Sequence, residues 1–188
     1  LDAGDTEHAR AWLEANDRWL SWSGSVLGRA DNLLAWARFH HAGDALSRAR
    51  DLAERAVAAA TDPDQPLVLI EAQRLLGTLA LDTQDWHAAE SMLTAAQSLA
   101  DACAIPYERA LTLIERARLP DADTASYLDE AREICERLGA TPALARIDAV
   151  SADHSGREVD APGGLTPREI EVLRLVTRGL TDAQIGDE

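Results

Sequence analysis

The side chains that could do chemistry are few and scattered. His40 and His41 could hold a metal ion, but adjacent residues on a helix point about 100° apart and rarely share one. A surface or groove pair is the expected reading. His8, His87 and His154 stand apart from any ligand spacing. Ser91, Ser98 and Ser126 lack the nucleophile elbow that exposes a reactive hydroxyl, and spacing suggests no Ser-His-Asp set. Cys103 and Cys135 fall on the packing faces of helical patterns, so core filling is expected of both rather than reactivity. Asp62 with Asp64, and Asp121 with Asp123, flank turns without the pattern of a calcium-binding loop. No catalytic, cofactor-binding or metal-binding residue is assigned, and the chain is not expected to be an enzyme.

The tryptophans are the other chemical feature. Trp12, Trp19, Trp22 and Trp36 all precede residue 40. Rings of this size stack on ligands or anchor protein partners. They also fill cores, and a packed first helix pair is the expected reading here. Trp86 is expected at a core position of a repeat.

The elements that must position these residues are helices. Alanine, leucine, arginine and glutamate dominate, and no segment alternates as a strand would. Helical patterns run over 6–22, 29–42, 44–60, 66–82, 85–103, 106–119, 123–139 and from Thr141 to about 152. Gly156, Pro162, Gly163 and Gly164 mark a flexible linker over 153–164. All 18 basic residues are arginine. Without a lysine there is neither a P-loop of the usual kind nor a Schiff base. The net charge of -15 opposes binding of nucleic acid by the chain as it stands. Two cysteines without metal spacing suggest reduced thiols in a cytoplasmic protein, and no membrane-length apolar run is present. Leu1 in place of an initiating methionine suggests a piece of something longer.

The helices repeat. Leu46, Ala49, Ala53, Ala56 and Ala60 share offsets with Trp86, Ala89, Leu93, Ala96 and Ala100, and with Leu128, Ala131, Cys135 and Leu138. The helix before each carries Ala37, Gly77 or Ala117, 40 residues apart. Small residues there let two antiparallel helices approach closely. The unit is a helical hairpin, which must stack on neighbours to bury its apolar face.

The last 24 residues form a separate pattern. Thr166 can cap a helix with Pro167 in its first position and Glu169 completing a capping box. Ile170, Leu173 and Val176 or Thr177 recur at helical spacing, Gly179 marks a stop, and Thr181 can cap a second helix.

Leu165, Thr166, Arg168, Glu169, Val172, Leu173, Leu175, Val176, Gly179, Leu180 and Ile185 resemble the opening of the LuxR-type helix-turn-helix domain of bacterial regulators. Ala183 and Gly186 depart from residues common in that family. Leu76-Gly77, Ala80, Asp85-Trp86, Ala89, Leu93 and Ala96 resemble a tetratricopeptide repeat. The long, irregular period, and the junction Arg137-Leu138-Gly139-Ala140-Thr141-Pro142, resemble the solenoid of large ATP-binding, MalT-like LuxR-family regulators.

These resemblances imply an all-α chain: a tetratricopeptide-like solenoid over 1–152, a linker over 153–164, and an incomplete helix-turn-helix over 165–188. They imply a regulator whose solenoid senses a small-molecule inducer or a protein partner, and whose completed terminal domain binds DNA. The recognition helix would follow Glu188, so no DNA-binding residue is assigned within the chain. The stripe Ile170, Leu173, Val176 and Leu180 is expected to seek cover on the repeats or on a second copy, which would make a homodimer. The alternative is a protein-binding repeat module with no role in transcription.

Overall fold

The structure, a computed structural model, describes residues 6–120 and 122–159, with side chains as far as His154. Its described residues are all-α, a solenoid of helical hairpins. The helices are α1 (Thr6–Ser23), α2 (Leu27–Ala42), α3 (Leu46–Thr61), α4 (Pro66–Asp82), α5 (Trp86–Ala102), α6 (Pro106–Arg116), α7 (Thr124–Leu138) and α8 (Thr141–Val159). The chain divides into two units, Leu1–Leu144 and Ala145–Glu188. The described part of the second is the remainder of α8. No described helix is long and apolar enough to cross a membrane.

Local chemistry sets the helix ends. Pro66 and Pro106 occupy first-turn positions, where the missing N–H costs nothing. Asp85 and Asp123 cap α5 and α7 by accepting the N–H of Ala88 and Ser126, each at 3.1 Å. One terminal motif closes α2, α4, α5 and α7. The N–H groups of Ala45, Asp85, Ile105 and Ala140 reach back to the carbonyls of His40, Ala80, Ala100 and Cys135. The residue before each, namely Asp44, Gln84, Ala104 or Gly139, takes the left-handed conformation this motif requires.

The hairpins pair α2 with α3, α4 with α5, and α6 with α7. The first helices α2, α4 and α6 also stand side by side, while α3, α5 and α7 make no comparable contact among the described residues. Ala49, Ala89 and Ala131 are fully buried at equivalent points of the second helices, and Ala37 and Ala80 of the first helices are fully buried as well. A continuous core joins Leu34 of α2, Leu52 of α3 and Leu75, Leu76 and Leu79 of α4. Polar ties reinforce the stack. Arg74 of α4 and Glu108 of α6 form a buried ion pair at 2.5 Å. The Asp82 carboxylate lies 2.8 Å from His41 Nε2 and accepts from Arg118 at 3.0 Å, so it links three hairpins.

The structure corrects several expectations. Trp86 is 42% exposed rather than core. It is the first residue of α5, and a helical side chain leans toward the N-terminus, here beyond the hairpin. Leu138, the last residue of α7, is likewise exposed. α6 stops at Arg116, short of 119, because the chain turns there ahead of Pro120; Thr124 Oγ1 donates to the Ala117 carbonyl at 3.0 Å across that turn. α8 continues to Val159, so 153–159 are helical instead of linker; one Gly inside a helix costs only about 1 kcal/mol. The stretch from Leu165, with the expectations placed on it, lies outside the described residues.

Candidate functional site

Two troughs on the first three helices gather several aromatic and cationic side chains. α1 precedes the first hairpin and buries only Leu20 among its described residues. Trp12, Trp19 and Trp22 are exposed rather than core, contrary to expectation; Trp12 is 76% and Trp22 84% exposed. Trp12 and Trp19, two helical turns apart, line an apolar groove of about 670 Å³ with Leu13, Asn16, Ala35 and Arg38.

The second trough, of about 510 Å³, runs between α1, α2 and α3. α2 supplies Leu33, Trp36, Phe39 and His40 from one face. α3 supplies Arg48, Leu52 and Arg55, spaced by four and three residues and so on one stripe. α1 supplies Arg10 and Asp17. Trp36 stacks on His40 at 5.8 Å, and Phe39 meets both rings edge-on at 5.5 and 5.6 Å.

A polar network fastens α1 to that wall. Trp36 Nε1 donates to Asp17 Oδ2 at 2.9 Å, and the buried Asn32 amide donates to Asp17 Oδ1. Asn16 Nδ2 donates to Asn32 Oδ1 at 2.7 Å. The Asp17 charge is thereby occupied on both oxygens. Of the arginines, Arg10 pairs with Glu14 at 3.1 Å and Arg55 with Asp51 at 3.4 Å, both within their own exposed helix faces. The Arg48 side chain makes no hydrogen bond or ion pair with any described residue. Partial burial holds the His40 imidazolium below its ordinary pKa, and the positive charges of Arg48 and Arg10 add to that.

The two adjacent histidines serve different places, His40 the trough and His41 the Asp82 tie. Ser91, Ser98, Ser126 and His87 lie on exposed positions and are not brought together. Among the described residues no three His, Cys, Asp or Glu side chains converge as metal ligands. Cys135 is buried as expected, but Cys103 is exposed at the end of α5. Asp123 is a helix cap, and Asp62 and Asp64 sit exposed in the turn after α3. Asp121 lies outside the described residues.

The Arg48–Leu52–Arg55 stripe is visible in the sequence as a periodic pattern. Its convergence with Arg10 is not, because those residues meet only through the packing of α1. No protein-family model, curated protein or solved structure matches the chain.

Proposed function

We propose that the chain is part of a LuxR-family transcriptional regulator, its repeats receiving an inducer or partner and its stretch from Leu165 opening the DNA-binding domain. The observation that carries this reading is the joining, in one chain, of hairpins in a shared register to the many fixed positions between Leu165 and Ile185. The repeat register is supported by the buried alanines Ala49, Ala89 and Ala131. The all-α architecture and the troughs on α1 to α3 supply a sensing surface. Such a regulator acts in the cytoplasm, on DNA.

The test is selection of genomic DNA fragments by the protein as its gene encodes it. Specific fragments should be retained over random DNA, with affinity falling steeply as salt rises. The chain of residues 1–188 alone, at net charge -15, should retain none. If the gene-encoded protein selects no fragment at low or physiological salt, the reading fails.

The exposed Trp12, Trp19 and Trp22 favour a second reading, a protein-docking repeat module without a role in transcription. It becomes the better one if DNA selection yields nothing.

A further inference from the structure

We infer that the trough between α1, α2 and α3 is a binding site for a small organic anion carrying a flat ring, with the charge held by Arg10, His40 and Arg48 and the ring against the Trp36–Phe39 wall. The inference names a ligand class for the sensing role and rests on the regulator reading for its biological purpose alone.

Charge is the first argument. The chain as a whole carries -15, yet three arginines and a histidine line one trough. Like charges gathered in this way repel one another, and His40 feels both Arg10 and Arg48. The acidic groups nearby leave that repulsion largely in place. Asp17 lines the same trough and keeps its charge, since its donors Asn32 and Trp36 are neutral, but it is one carboxylate against three arginines; Glu14 and Asp51 hold Arg10 and Arg55 only in exposed pairs, which contribute little. Arg48 keeps its whole guanidinium fork for a ligand, and that fork matches a carboxylate or a phosphate. A bound oxyanion would also relieve the pressure on His40 and let it donate from a protonated ring.

Shape is the second argument. A space of about 510 Å³ lies within the range of small-molecule sites. Leu33 and Leu52 give it apolar surface, and the mutually packed Trp36, Phe39 and His40 rings give it an aromatic wall on which a ring can stack or meet an edge. Arg48 and Arg55 stand seven residues apart on α3, on the order of 10 Å, so one ligand can bridge from the charged end along the wall.

Calorimetric titration of the full chain tests this with six probes: AMP, adenosine, inorganic phosphate, benzoate, benzyl alcohol and acetate. AMP or benzoate should bind, and whichever binds more tightly identifies the anionic group. Adenosine and inorganic phosphate should each bind about tenfold or more weakly than AMP if phosphate is preferred. If carboxylate is preferred, benzyl alcohol and acetate should trail benzoate by the same factor. Arg48→Ala and Arg10→Ala should each weaken binding about tenfold or more. Both side chains are exposed, so these variants should fold. Arg137→Ala, on α7, should leave binding unchanged. The inference is overturned if neither AMP nor benzoate binds at millimolar concentration, if the uncharged probe or the bare anion binds as well as the ringed anion, or if Arg48→Ala binds like the parent. The regulator reading stands or falls separately, on the DNA selection.

Discussion

A Cβ on Gly77 would stand 2.6 Å from Leu93 Cγ and 2.7 Å from its Cδ2. α4 and α5 therefore meet with helix backbone against a branched side chain. Leu93 is fully buried, and the clash falls on its branch carbon as well as on a terminal methyl. Two effects of Gly77→Ala oppose each other. Helix propensity favours alanine by about 1 kcal/mol. Overpacking a filled contact costs about 1 to 3 kcal/mol. The variant is expected to melt below the parent despite its better helix former. A raised melting midpoint would mean that the two helices are less closely packed than this contact requires.

That contact is legible in the amino-acid sequence, as the small residue repeating at Ala37, Gly77 and Ala117. The hairpin register is legible for the same reason: period and side-chain size are local properties. Exposure at the edges is not. Trp86 shares its offset with the buried Leu128, and Leu138 shares its offset with the buried Ala56 and Ala96, but they sit at the first and last positions of their helices. Trp12 and Trp19 show a helical period that fits a core as well as a groove. Which of the two it is depends on whether a partner helix covers α1, and that is a tertiary fact. The Asp17–Asn32–Trp36 network and the Arg10–Arg48 convergence are hidden from the sequence for the same reason.

Ala104 closes α5 with φ at 53°, a conformation in which its Cβ crowds the following carbonyl. Gly139 holds the equivalent place after α7 at φ 66° without that penalty. Ala104→Gly is expected to raise stability by about 1 kcal/mol, and Ala104→Val to lower it. Urea midpoints at constant slope measure both. A destabilised glycine variant would show that unfolded-chain entropy outweighs the strain at this cap.

Glu108 and Arg74 are both buried and bridge α4 to α6. Removing one partner leaves a buried charge uncompensated. Glu108→Leu should therefore cost about 3 to 5 kcal/mol. The double variant Arg74→Met, Glu108→Leu should recover most of that loss, because the pair has already borne the cost of desolvation. Additive losses in the double variant would mean that the pair contributes through packing rather than charge.

The two thiols should react separately. Cys103 is exposed, whereas Cys135 is buried and its burial pushes the thiol pKa up, away from the reactive thiolate. Ellman's reagent should titrate one thiol per native chain quickly and the second only on unfolding. Cys103→Ser should abolish the fast phase. Two fast thiols in the native chain would place Cys135 in contact with solvent.

His40 should make stability depend on pH with a definite sign. Its folded pKa is held below the ordinary 6.5, first by burial and then by Arg48 and Arg10. Between the folded pKa and 6.5 the unfolded chain binds a proton that the native chain does not. Stability therefore rises with pH through that window. The contribution is whole above 6.5, is lost as pH falls through the folded pKa, and does not change further below it. His40→Gln lacks the titration, so the parent should lose stability relative to this variant on acidification. Arg48→Gln removes one of the repelling charges and should shrink the effect without abolishing it, because burial is the larger cause. Urea midpoints of the three proteins at pH of about 8, 6 and 5 decide the matter. If the parent and His40→Gln keep a constant difference across that range, His40 titrates as a solvated histidine and the crowding of positive charge in the trough is not felt.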